Sequence, residues 1–133
     1  MDRETPIEKD RNFRKKISAF SNKSRRKRGN ISVLDYQIAK KFSKDLKKKF
    51  NAEKVILFGS RARGDHYEKS DFDFLVTSKN FSVIPIIFRM SKLYDFWKEK
   101  YDLEVLCYTP EEFRIKEKQN GIVRKAVEEG VEL

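Results

Sequence analysis

Cysteine and histidine are scarce in this sequence, and long apolar runs are missing. The one cysteine, Cys107, cannot form a disulfide within the chain and excludes a cysteine-built zinc site. Such usage fits a reducing compartment, and a cytoplasmic protein is expected. No stretch approaches the roughly 18 apolar residues that a membrane span needs. The basic N-terminus is not followed by a hydrophobic segment, so it does not read as a secretory signal. The one histidine, His66, stands alone in a polar loop, where a catalytic role is not expected. Internal repeats are absent too.

What is present is charge and aromatics. The chain has 133 residues, 39% of them charged, with a formal net charge of +10. Eleven Phe and five Tyr suffice to build one core, which is one ordinary domain at this length. The basicity is uneven. Residues 1–30 hold eleven Lys and Arg against four acids; the rest holds twenty against seventeen. The chain therefore divides into a basic N-terminal extension, 1–30, expected to be solvated and mobile, and a domain spanning 31–133. The excess charge favours anionic partners, and RNA through the N-terminal segment is one of them. Ile7, Phe13, Ile17 and Phe20 could line one side of a short helix there.

Along the domain, Asn30 or Ser32 can cap a helix in which Leu34, Ile38, Phe42, Leu46 and Phe50 recur every fourth residue. Lys54 to Phe58 is an apolar run that reads as a buried strand. Asp71 to Val76 alternates charged with apolar residues, as a half-buried strand does. Residues 83–100 are predicted helical, with Pro85 in the first turn and Ile87, Met90, Leu93, Tyr94 and Trp97 on the packed side. Leu103 to Cys107 is a third strand. Thr109-Pro110-Glu111-Glu112 starts a helix that Gly121 ends, and a last amphipathic stretch covers Ile122 to Glu129.

The chemistry concentrates in Gly59-Ser60-Arg61-Ala62-Arg63-Gly64, followed after six residues by Asp71-Phe72-Asp73. Glycine at the end of a strand permits a tight turn and close approach of a ligand to the backbone. The free N–H groups of a following helical turn favour phosphate. Ser60 adds a hydroxyl; Arg61 and Arg63 add charge suited to phosphate oxygens, although either can pair with an acid instead. Asp71 and Asp73, two apart on a strand, point the same way, roughly 7 Å apart at Cα. Like charges so placed repel unless a cation lies between them, and hard oxygen ligands suit magnesium.

This segment resembles the minimal nucleotidyltransferases of the DNA polymerase β superfamily, whose pattern is Gly-Ser, ten residues, Asp-x-Asp. The resemblance covers roughly residues 33–115. It implies an α/β fold: a small mixed β-sheet with helices packed on one face. It also implies transfer of AMP, or another nucleoside monophosphate, from ATP to an acceptor hydroxyl with Mg²⁺. Catalytic and metal-binding roles fall to Asp71, Asp73 and a third acid, placed at Glu104 where the family usually has aspartate; Asp102, of the same strand parity, is held in reserve. Phosphate binding falls to Gly59, Ser60, Arg61 and Arg63.

Stand-alone members of this family often act as antitoxins beside a HEPN-domain ribonuclease, attaching AMP to its tyrosine or simply binding it. The expected function is therefore protein adenylyl transfer to such a partner. Transfer to RNA or to a small molecule, and a non-catalytic binding antitoxin, are the alternatives.

Overall fold

A computed structural model describes residues 31–133. The extension 1–30, with the expectations attached to it, lies outside the described residues. Helix α1 (Val33–Lys49) leads to strand β1 (Ala52–Phe58), the short helix α2 (Ser60–Arg63) and strand β2 (Phe72–Ser78). A 3₁₀ turn (Lys79–Val83), helix α3 (Ile86–Tyr94), strand β3 (Leu103–Tyr108), helices α4 (Pro110–Lys116) and α5 (Ile122–Glu129) and strand β4 (Val131–Glu132) follow. The sheet order is β3-β2-β1-β4; β1 runs antiparallel to β2 and β4, and β2 parallel to β3. This is the expected small mixed sheet.

Ser32 caps α1 by accepting the Asp35 N–H, and Lys47, Lys48 and Lys49 complement the dipole at the other end. The buried stripe is Tyr36, Ala39, Phe42, Ser43 and Leu46. Leu34, expected on that stripe, is 56% exposed. A strict spacing of four advances about 40° beyond a full turn at each step, so such a series drifts around the helix, whereas the sheet faces one side of it.

Strands β1 and β2 are buried on both faces because both are interior to the sheet. One face of the sheet meets α1: Val55, Leu57, Phe72, Phe74, Val76, Leu103 and Val105 pack there with Phe42, Leu46 and Trp97. Helix cover extends to the other face, where a smaller cluster joins Ile56, Phe58 and Leu75 to Phe113 of α4 and to Val123 and Ala126 of α5.

The helix expected over 83–100 is shorter. Pro85 takes the N-cap position, one residue outside the first turn, and the helix ends at Tyr94. Ile87 is 79% exposed, and Trp97 lies beyond the helix, against Phe42 and Phe72. The end is held by polar tips: the Tyr94 hydroxyl donates to the Leu103 carbonyl and the Trp97 ring N–H to that of Tyr101. The start of α4 matches expectation, with a Thr109–Glu112 capping box and Pro110 in the first turn. Strand β4 escaped the sequence reading, since two residues are too few to show alternation. Among the described residues no helix is long and apolar enough to cross a membrane.

Candidate active site

The site is assembled by sheet register. Phe58 at the end of β1 stands opposite Asp73 of β2, and Asp73 stands beside Glu104 of β3. Neighbouring strands lie about 4.8 Å apart, so the turn after Phe58, Asp73 and Glu104 form one row across three strands. Asp71 precedes β2 with the same parity as Asp73. The alternate residues Phe72 and Phe74 go to the core under α1, which commits the odd-numbered acids to the other face.

Gly59 adopts φ 77°, ψ −161°, a conformation that residues with a side chain rarely adopt. A Cβ at Gly59 would collide with the Asp73 carboxylate. The turn and the acid therefore face each other with no room for a side chain between them. Gly64 closes α2 in the left-handed conformation, at φ 86°, and donates its N–H to the Ser60 carbonyl.

Asp73 is half-buried, and its carboxyl is pushed up to about 6. Burial is the largest cause; the carboxylates of Asp71 and Glu104 add to it, and the Arg63 charge opposes it. Three sequence-predicted acids thus share one electrostatic neighbourhood. Asp102 is exposed; its carbonyl accepts the Phe72 N–H, and it lines a shallow pocket of about 390 Å³ with Glu68, Lys69, Lys100 and Tyr101.

The two arginines of the turn part company. Arg63 bonds Asp65 at 3.1 Å and Glu129 of α5 at 2.8 Å, yet its charge still reaches Asp73. Arg61, expected to bind phosphate, is turned inward with a side chain 3% exposed. Its Nη1 bonds both carboxylate oxygens of Asp35, at 3.0 and 3.2 Å. Nε and Nη2 donate to the Ser70 carbonyl and Nη2 also to that of Glu68. All three guanidinium nitrogens are thus engaged inside the protein, and the group is turned away from a phosphate at the turn. Asp35, in the first turn of α1, is this buried partner, and the His66 Nε2 lies 3.4 Å from its Oδ2. Nothing local announced the pairing, because 26 residues separate Asp35 from Arg61.

Among the described residues no three His, Cys, Asp or Glu side chains are gathered so as to hold a metal ion by themselves. Magnesium, however, commonly takes one or two carboxylates and completes its shell with water and substrate phosphates. The donor set fits that pattern: hard oxygens, mutually repelling, with the Asp73 carboxyl pushed up by burial and by its acidic neighbours.

A glycine turn set against an acid row can receive phosphate oxygens beside a cation held by the acids. Residues 39–133 match the nucleotidyltransferase domain family, and the chain belongs to it. It is similar to a Methanocaldococcus jannaschii protein provisionally named a protein adenylyltransferase, 38% identical over 69 residues, which covers 50% of this chain and 70% of the relative. The fold overlaps the crystal structure of a Sulfolobus solfataricus protein provisionally named a nucleotidyltransferase, with a TM-score of 0.51 and 25% identity over 72% of this chain and 76% of that one. The chain is an enzyme of the nucleotidyltransferase type.

Proposed function

We propose that this nucleotidyltransferase moves AMP from ATP onto a protein hydroxyl. The observation that carries the reading is the close approach of the Asp73 carboxylate to Gly59, which leaves no room for a side chain there and sets the turn against the acid row. The name of the M. jannaschii relative supports adenylyl transfer and a protein acceptor.

Asp71 and Asp73 would hold Mg²⁺, with Glu104 completing the set. When bound, the ion neutralises triphosphate charge and eases departure of pyrophosphate. The Ser60 and Arg61 N–H groups, which precede those of Ala62 and Arg63 that bond the Gly59 carbonyl, and the Ser60 hydroxyl receive phosphate oxygens. Arg63 contributes nearby charge, whereas the Arg61 guanidinium is turned away from the nucleotide. The acceptor oxygen bonds to the α-phosphorus as the bond to pyrophosphate breaks, and Glu104 takes the hydroxyl proton. Holding these groups in line supplies much of the rate.

The acceptor we propose is a tyrosine of a HEPN-domain partner, which makes the chain its antitoxin. RNA is the second reading, favoured by the eleven basic residues of the N-terminal segment. The test incubates the full chain with ATP labelled at the α-phosphate, Mg²⁺ and either a small helical protein carrying Arg-x(4–6)-His encoded beside it or total RNA. Label on the protein, lost with Asp73→Asn, is the expected result. Label on RNA alone would move the function to the second reading, and label on neither would reject both acceptors.

A further inference from the structure

We propose that Arg61 is a positioning residue: its buried guanidinium holds the peptide that precedes Asp71 and so sets where the Asp71 carboxylate stands relative to Asp73. This rests on reading Asp71 as an acid of the transfer site.

Three of the five guanidinium bonds end on main-chain carbonyls of one short segment, two on Ser70 and one on Glu68, at 2.9 to 3.1 Å. Ser70 is the residue immediately before Asp71. Between Gly64 and Phe72 the chain has neither helix nor strand; sheet pairing begins only where the Phe72 N–H meets the Asp102 carbonyl. Within the segment, Ser70 and Tyr67 exchange two bonds, the Ser70 N–H to the Tyr67 carbonyl and the Tyr67 N–H to the Ser70 hydroxyl. These close a turn but do not tie it to the sheet. Arg61 supplies that tie.

The clamp is built to be rigid. The guanidinium lies 4.4 Å from the ring centres of both Phe72 and Tyr101, and Asp35 of α1 neutralises it. The His66 Nε2, from the same segment, comes within 3.4 Å of that carboxylate. Lysine could not replace this fork, since it has three donors on a point charge and no plane to stack. Because Arg61 directly follows Ser60, one dipeptide step carries both the phosphate-facing turn and the anchor of the acid ten residues on. The two halves of the site are thereby held together by one side chain.

A buried ion pair serving stability alone would make a different prediction, and paired removal separates the two. Replacing both charges together, Asp35→Leu with Arg61→Met, leaves no buried charge unpaired, and such exchanges are often neutral in stability. The full chain carrying both changes is expected to melt near the parent temperature. Amide exchange across 65–71 is expected to speed up about tenfold. The Mg²⁺ concentration for half-maximal AMP transfer is expected to rise about 10–100-fold, the range seen when outer partners of metal ligands are lost, while KM for ATP holds. A folded double variant with unchanged exchange and unchanged Mg²⁺ requirement overturns the proposal. If the double variant does not fold, Arg61→Lys decides by the same two measurements. A parent chain that transfers no AMP sinks the transfer reading instead, and exchange across 65–71 still decides the clamp.

Discussion

The two faces of β2 show how one strand serves two ends. Phe72, Phe74 and Val76 point to α1 and are fully buried among Phe42, Trp97 and Leu57. Asp71 and Asp73 point the other way, where α4 and α5 cover the neighbouring Ile56, Phe58 and Leu75. The closed face is a core in which each side chain touches many others. The open face leaves carboxylates beside a glycine turn with their charges unspent on one another. Stability is concentrated on the first face and chemistry on the second, so substitutions on the two should separate cleanly in their effects.

The largest expected effect is on the open face. Asp71→Asn and Asp73→Asn should each lower AMP transfer by about 10²–10³-fold or more, as loss of a charge-stabilising group does. Circular dichroism should match that of the parent, and neither variant should melt earlier than the parent. A variant that melts early but transfers normally would erase the contrast between the faces. On the closed face, Phe74→Ala should cost about 3–5 kcal/mol by denaturant titration, since it opens a cavity among buried aromatics. Turnover per folded molecule should hold.

Gly59→Ala lies on the border between the faces and should damage both properties. The positive φ disfavours alanine and the added methyl meets Asp73, so a loss of about 1–3 kcal/mol is expected. Transfer should fall as well, because the carboxylate must shift; transfer at the parent rate would show that turn and acid are not functionally opposed.

The smallest effect is a pH dependence. The Asp73 carboxyl lies at about 6 in the folded chain against an ordinary 3.8, so the folded state binds the extra proton between those values. Stability from this group is therefore present below about pH 4 and is lost as pH rises through about 6. Parallel urea titrations of the parent and Asp73→Asn across that window should show the decline only in the parent. Added Mg²⁺ should offset it at the upper end, by binding the ionised form.

Much of this was legible in the order of residues. Period-two alternation assigned Phe72 and Phe74 to the core and the flanking aspartates to the opposite face, because successive side chains on a strand must alternate. The Thr109-Pro110 start of α4 was readable because capping is settled within four residues. Gly59 was readable as a turn because glycine frees φ, though its contact with Asp73 depends on which strands pair. Glu104 was named as the third acid by family resemblance alone, and the parallel register of β2 and β3 is what places it beside Asp73. Arg61 is the plainest limit. Its place next to Ser60 suggested a phosphate ligand, and tertiary structure turned it inward to Asp35, Glu68 and Ser70. Local rules determine which way a side chain leaves its own strand or helix. What meets it there depends on segments brought in from far along the chain, and no local pattern carries that information.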